Sequence, residues 1–298
     1  MVCLASAEAL PGGGNVDVAV GFWSGEVTCR IGGRAWTPET GSVMLPDRIS
    51  ELVFPLEVAC LALTAEWRWP SGFGAHASVQ GTVSDPAAKM KDSDWDLDGR
   101  LWVYSESSAD LEAFLTDAGV RYWFGSQTTG RSPSWNVGVG PGVQFGRLAW
   151  TVHDTVQTYP AHPWLGVDEV SGRTITYDTD LTMWYTDVAA VFNVRRFSGR
   201  AELASGVVVA RDKDDHLLRF QRSTAELTGI GVRAALEGRV AFGSSLFGAA
   251  RVSILLVEAT GTSRVRYYAG ENVGWHGKID EDLAIASAML SLGLGWAF

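Results

Sequence analysis

The chain has 298 residues, 46% of them hydrophobic, so it is long enough to bury a core within one domain. With 24 basic and 34 acidic residues its formal net charge is −10, which argues against nucleic acid as a partner. Three cysteines are too few for a disulfide scaffold. The chain contains no apolar run of about 18 residues, which excludes a membrane-spanning helix.

The first residues resemble the end of a signal peptide. Met1–Ala9 lacks a charged start and a full apolar stretch, but its Ala-x-Ala steps are typical of a cleavage region. We therefore predict an N-terminal segment over residues 1–14, a remnant of a signal-peptide region, and a single domain over residues 15–298. The natural precursor is expected to be longer.

Apolar residues recur at every second position through most of the chain, with Gly, Ser, Asp and Pro clusters between the runs. In the run Leu61–Trp69, one face is wholly apolar and the other carries charge. Similar runs lie at residues 16–22, 120–124, 137–145, 181–194, 201–210, 229–236 and 251–257. The pattern predicts an all-β, antiparallel fold of about ten strands.

The end of the chain favours a transmembrane barrel over a soluble β-sandwich. In Leu290–Phe298 every second residue is apolar, the residues between are small, and the last residue is aromatic. This resembles the signal by which outer-membrane barrels are assembled. Several of the 13 tryptophans lie near apparent strand ends, where barrels carry aromatic girdles. We predict a barrel whose apolar faces meet lipid.

Two acidic clusters, at residues 91–99 and 212–216, are the candidates for chemistry. Asp92 and Asp94 point to one face of a strand, and so do Asp214 and His216. A carboxylate beside an imidazole orients it and raises its basicity, so that His216 could take a proton from water. Two facing carboxylates could hold that water, one of them with a raised pKa. These residues could thus form a hydrolytic site, although acidic runs in barrels more often lie in solvated loops.

Three alternatives remain open. Acidic runs also occur in the solvated extracellular loops of non-enzymatic barrels, such as an adhesin or a porin-like protein. The run Asp94–Gly99 is similar to the start of a calcium-binding loop, although Ser105 stands where such loops carry a bidentate Glu. A lipid-modifying barrel hydrolase would use a Ser-His pair, and Ser105–Ser108 lacks the Gly-x-Ser-x-Gly elbow.

The histidines outside the clusters show no metal-ligand spacing, and we expect them on the surface or in loops: His76, His153, His162 and His276.

Together, the Asp92-x-Asp94-Trp95 and Asp212-x-Asp214-x-His216 elements resemble the omptin family of outer-membrane aspartyl-type endopeptidases. The similarity extends over nearly the whole chain. Its other parts are the first strand Asp17–Gly25, Ile49–Leu52, Met90 just before the first acidic pair, Tyr177 at the start of a long strand, and the C-terminal Leu294–Phe298.

The resemblance implies a ten-stranded barrel with an acidic groove at its extracellular end. Asp214 and His216 would form a dyad on one wall of the groove, and Asp92 and Asp94 a couple on the other. A water between them would attack the scissile carbonyl, with His216 as general base. The mechanism implied needs neither a metal nor an acyl-enzyme.

The resemblance also implies a monomer in the bacterial outer membrane that acts on peptides or proteins, without a cofactor other than lipopolysaccharide as a candidate activating lipid. Asp212 and Met90 are expected to contact the substrate. The second acid of the family's substrate pocket falls at Cys29, and the nearby Glu26 has the opposite strand parity. The family's basic lipopolysaccharide-binding patch is not recognisable around residues 147–153. The residue preference at the cut is therefore not predicted.

Overall fold

Long antiparallel strands make up most of the computed structural model, which describes residues 13–125 and 133–298. The strands are β1 (Gly13–Thr37), β2 (Gly41–Met44), β3 (Ser50–Pro55), β4 (Val58–Arg68), β5 (Phe73–Thr82), β6 (Met90–Trp95), β7 (Leu101–Gly125), β8 (Ser134–Thr158), β9 (Val167–Val194), β10 (Phe197–His216), β11 (Gln221–Ala241), β12 (Leu246–Tyr267) and β13 (His276–Ala297). Two short 3-10 turns cover Pro163–Leu165 and Leu217–Arg219. Within the described ranges, no helix has the length and hydropathy to cross a membrane.

The predicted N-terminal segment, residues 1–14, lies outside the described residues except for its last two glycines. These two glycines already belong to β1.

The sheet closes on itself as a barrel of ten strands, because β1 pairs with β13 from Asn15↔Ala297 to Trp36↔Lys278. The closed ring runs β1, β4, β5, β7 and then β8 to β13 in chain order. β3 lies above β4 along the same neighbour, β1, and a break at Leu56–Glu57 separates the two. β6 likewise lies above β5 along β7 and pairs with β3. These two short strands therefore extend the wall of the ring above the upper limits of β4 and β5. The prediction of an all-β, antiparallel barrel of about ten strands is confirmed.

The alternating pattern places the large apolar side chains on the outside of the barrel. On the first and last strands, Val20 is 60% exposed and Leu292 is 65% exposed, while the residues that alternate with such apolar residues along each strand face inward. A soluble sandwich would bury these faces, whereas a barrel in lipid presents them as a belt. We call the end that carries Phe298 the lower end and the opposite end the upper end. Above the belt the outward-facing residues become charged, as at Asp180, Arg211, Lys213, Glu226 and Arg264.

The interior contains a layer of aromatic side chains toward the upper end and charged side chains at the level of the belt. Phe54 stacks on Tyr177 with 4.5 Å between ring centroids and lies 5.0 Å from Trp150. The indole N–H of Trp150 donates to the Pro55 carbonyl at 3.2 Å. These three aromatic side chains are fully buried and form a rigid layer below the strand tops.

Candidate active site

The end of β10 holds the predicted dyad. Asp214 and His216 alternate with Asp215 along the strand, so their side chains project to the same inner side, where both are buried. Nε2 of His216 lies 3.0 Å from Oδ2 of Asp214. β10 ends at His216 because the chain turns at once through Leu217–Arg219, and Phe220 then adopts a left-handed φ of 51°.

The predicted couple lies on β6, between β3 and β7. Asp92 pairs with Leu52 on one side and Ser105 on the other, which fixes its side chain toward the interior. Asp92 is buried, and the side chain of Asp94 is 17% exposed. A bulge after Asp94 ends the regular pairing with β7.

Arg219 joins the two walls of the cleft. Its guanidinium NH2 donates to Oδ2 of Asp94 at 2.5 Å, although the two residues are 125 positions apart in the chain. Because Arg219 follows His216 by only three residues, this ion pair places the dyad and the couple around the same cleft, where the charges of His216 and Asp214 act on Asp92. The structure thus brings together Asp92, Asp94, Asp214 and His216.

The electrostatics of the cleft differ between its two walls. Burial and the neighbouring Asp94 raise the pKa of Asp92 to about 6, in spite of the opposing charges of His216 and Arg219. Burial lowers the pKa of His216, but the Asp214 carboxylate outweighs it and leaves the pKa above its ordinary value of 6.5. Oδ1 of Asp92 and Oδ1 of Asp214 are buried and have no hydrogen-bond partner among the described residues. They are unpaired acceptors on the two walls of the cleft.

The two predicted substrate-contacting residues lie deeper. Asp212 is 6% exposed and accepts a hydrogen bond from the Tyr177 hydroxyl at 3.0 Å. Met90 is fully buried on β6, two residues before Asp92. Both point to the same interior as the dyad and the couple.

Two residues of the cleft, Arg219 and Glu281, were not predicted. Glu281 lies on β13, and its Oε1 accepts a hydrogen bond from Sγ of Cys29 at 3.2 Å. The only signal for Glu281 in the sequence is its place on the inward-facing side of an alternating strand, between Ile279 and Leu283. The contact of Arg219 depends on the conformation of its turn, for which the sequence has no signal.

The structure also bears on the alternatives. Asp96 accepts hydrogen bonds from the backbone and side-chain nitrogens of Arg100 at 2.9 Å, so this carboxylate of the candidate calcium loop is paired with the Arg100 guanidinium.

The expectation of surface or loop positions is wrong for His76, whose Nε2 lies inside the barrel, 3.2 Å from Asp117. His153 lies on β8 beside Asp154, outside the cleft.

The closed antiparallel ring, the apolar outer belt and the acidic, histidine-containing cleft at one end define the class of protein. It is a transmembrane β-barrel of the type found in bacterial outer membranes. The comparisons with known proteins then narrow the class.

A model of the Omptin family matches residues 40–229, more than half of the sequence, and the chain belongs to this family. The crystal structure of the outer membrane protease OmpT from Escherichia coli is similar, with a TM-score of 0.79 and 17% identity, over 98% of this chain and 100% of that chain. Among curated proteins, none matches this chain.

Two further structures match with lower TM-scores. The outer membrane protein OprG from Pseudomonas aeruginosa has a TM-score of 0.36 at 9% identity, over 96% of each chain. The translocator domain of autotransporter NalP from Neisseria meningitidis has a TM-score of 0.38 at 9% identity, over 96% of this chain and 88% of that chain. The predicted family is confirmed by the family model, and the predicted fold by the likeness to OmpT.

Proposed function

We propose that this protein is an outer-membrane endopeptidase that hydrolyses peptide bonds with a water activated by Asp214 and His216, opposite Asp92 and Asp94. Membership of the omptin family supports the protease class, and the similar OmpT is described as an outer membrane protease. The observation that carries the proposal is the buried dyad, with 3.0 Å between Nε2 of His216 and Asp214, facing a second pair of carboxylates.

In this proposal His216 is the general base. In the neutral ring, Nε2–H donates a hydrogen bond to Asp214, so Nδ1 is the nitrogen that accepts a proton from water. The Asp214 carboxylate holds the ring in that orientation and stabilises the imidazolium that forms. The resulting hydroxide attacks the peptide carbonyl, and the proton on His216 passes to the leaving amine.

Asp92 and Asp94 would hold the water for attack. Both carboxylates accept hydrogen bonds, and the free, buried Oδ1 of Asp92 is a site to which a water O–H could donate. Arg219 supplies one positive charge beside Asp94, which lowers the cost of two carboxylates at close range. The steps assigned to these side chains involve neither a metal nor a covalent intermediate.

The substrate is proposed to be an exposed peptide or protein segment. Asp212 would contact it at the bottom of the cleft, and the buried Met90 would form the apolar wall beneath it. An excess of carboxylates favours segments with positive charge.

We propose that the cleft faces the outside of the cell. At the lower end, three connections have two to four residues (69–72, 195–196 and 242–245) and one has eight (126–133). At the upper end, residues 217–220 form a connection of four residues, residues 159–166 and 268–275 form connections of eight, and residues 83–100 form one of eighteen that contains β6. Barrels of the outer membrane have short periplasmic turns and longer extracellular loops. We also propose that the protein is a monomer and that lipopolysaccharide activates it.

The test is a cleavage assay. The refolded barrel is incubated with libraries of peptides containing basic residues, with and without lipopolysaccharide, and the products are identified by mass spectrometry. We expect cleavage by the wild type and a loss of about 10²–10⁴-fold in kcat/KM for His216→Ala, the usual contribution of a general base. His153→Ala is the matched control, because His153 also pairs with an aspartate but lies outside the cleft.

No cleavage by the wild type under any of these conditions would refute the protease and favour a non-enzymatic barrel. Equal activity of His216→Ala and wild type would refute the proposed site while leaving the protease class intact.

A further inference from the structure

A buried pocket with one thiol and two carboxyl groups lies below the dyad, where β1, β10 and β13 face one another. Cys29, Asp212 and Glu281 are 2%, 6% and 4% exposed. Sγ of Cys29 lies 3.2 Å from Oε1 of Glu281. One donor atom from each of the three side chains lies within 4.8 Å of the other two.

A buried hydroxyl group beside this pocket has no partner. Thr179 lies directly opposite Asp212 in the pairing of β9 with β10. The Thr179 side chain is fully buried, and its hydroxyl oxygen has no hydrogen-bond partner among the described residues. Buried polar groups are normally paired, so an unpaired hydroxyl beside three potential ligands indicates that the pocket binds a polar ligand.

The pocket has no positive charge of its own. In the described parts of the chain, no arginine or lysine forms an ion pair with Asp212 or Glu281. Burial and the neighbouring acids raise the pKa of Glu281 and of Asp212, and burial also raises the pKa of the Cys29 thiol. The Cys29 thiol therefore holds a proton, and Asp212 and Glu281 share another, so a cation could replace two protons.

We propose that Cys29, Asp212 and Glu281 form a binding site for a zinc ion, separate from the groups that activate water. Zinc accepts thiolate and carboxylate ligands together, whereas calcium and magnesium take oxygen ligands. On a tetrahedral zinc, sulfur and oxygen ligands lie roughly 3.6 Å apart, close to the present 3.2 Å separation of Sγ and Oε1. Water would take the fourth position.

Binding releases two protons. One comes from the Cys29 thiol, and the other is the proton shared by Asp212 and Glu281. Both pass to solvent as the ion binds the thiolate and the two carboxylates, so the net charge of the pocket does not change. The affinity should accordingly increase with pH.

The site would regulate access to the cleft. Asp212 precedes Asp214 by two residues on the same side of β10, so a bound ion would lie on the floor of the cleft and occupy the Asp212 carboxylate that is proposed to contact the substrate. This consequence rests on the proposed function, whereas the binding itself does not.

The experiment measures binding of the metal alone to the full refolded barrel, in a Cys3→Ser background that removes the thiol near the N-terminus. Zinc is titrated by calorimetry in two buffers of different ionisation enthalpy, and cadmium is titrated while its ultraviolet charge-transfer band with thiolate is recorded. We expect one ion per barrel, release of two protons, and a cadmium–thiolate band.

Three variants decide the outcome. Cys29→Ser should abolish the band, and Cys29→Ser and Glu281→Gln should each weaken zinc at least about tenfold. Cys60→Ser is the matched control, because Cys60 is also a buried, free thiol but contacts Met289 instead. Folding of each variant is checked by its β-sheet circular dichroism.

The proposal is overturned if the wild type gives no cadmium–thiolate band, or if Cys29→Ser and Glu281→Gln, both folded, bind zinc as tightly as the wild type. Loss of zinc binding in His216→Ala alone would also overturn it, since the ion would then belong to the dyad. None of these results depends on whether the protein cleaves peptides.

Discussion

The barrel interior contains two charged regions that are built in opposite ways. At the level of the belt, buried arginines and carboxylates alternate around the wall, and each of four arginines pairs with at least one acid: Arg121, Arg200, Arg233 and Arg239. At the upper end, five acids share one arginine and one histidine: Asp92, Asp94, Asp212, Asp214 and Glu281, with Arg219 and His216. The lower region is close to charge balance, and the upper region is not.

The difference separates structural charges from functional ones. A buried ion pair that loses one partner leaves an unpaired charge, which is strongly destabilising, so the lower network has to be balanced to persist. An excess of like charge destabilises the fold and is retained where it binds a cation or performs chemistry. The comparison predicts that substitutions in the two regions will have different consequences.

The largest expected effect is on activity in the upper region. Asp94→Asn removes an acceptor for the attacking water and the partner of Arg219, and we expect a loss of about 10²–10⁴-fold in kcat/KM. The control is Asp98→Asn, which alters an exposed acid in the adjoining turn. Unchanged peptide cleavage by Asp94→Asn would show that the couple is dispensable.

The next effect is on stability in the lower region. Nε of Arg121 donates to Oδ2 of Asp187 at 2.8 Å, and both side chains are buried. Arg121→Met should lower the free energy of unfolding by about 3–5 kcal/mol, because it leaves Asp187 unpaired. The measurement is urea unfolding in lipid vesicles, followed by tryptophan fluorescence. The double variant Arg121→Met/Asp187→Leu should recover most of the loss, and a stable single variant would contradict a structural role.

A smaller effect is expected on the pH dependence of cleavage. His216 has to be neutral to accept a proton, and its pKa is raised above 6.5 by Asp214 against the effect of burial. Activity should therefore rise with pH, and the rise should be centred above pH 6.5. In Asp214→Asn the residual activity should rise at a pH about one unit lower or more, because burial and the charge of Arg219 then lower the pKa of the imidazole and only the weaker attraction of Asp92 opposes them. If the pH profile of Asp214→Asn coincides with that of the wild type, His216 is not the group whose titration controls the rate.

The smallest effect concerns Arg219. Its charge lowers the pKa of Asp92, so Arg219→Gln should raise that pKa above about 6. At pH 6 the ionised fraction of Asp92, and with it the rate, should fall roughly twofold, while at pH 8 the effect should vanish. Arg222→Gln is the control, because Arg222 pairs with Asp215 next to the dyad. A uniform loss at all pH values would instead indicate a positioning role.

The sequence predicted the features that follow from alternation alone. The lipid-facing side of the strands and the grouping of Asp214 with His216 depend on parity along one strand. The count of about ten strands follows from the number of alternating runs along the chain. The place of Glu281 beside Cys29 depends on closure of β13 onto β1, which brings together residues 252 positions apart. The contact of Arg219 depends on a turn with a left-handed residue at Phe220. His76 was misplaced because an isolated histidine gives no sign of which side of the sheet it faces.

The most direct test of the contrast between the two regions is a matched pair of substitutions, Asp214→Asn and Asp187→Asn, each assayed for peptide cleavage and for the free energy of unfolding. We predict that Asp214→Asn loses cleavage and keeps the stability of the wild type, whereas Asp187→Asn is destabilised and cleaves normally once folded. If Asp214→Asn cleaves like the wild type, or if the two variants behave alike, the distinction between an unbalanced functional cleft and a balanced structural network is contradicted.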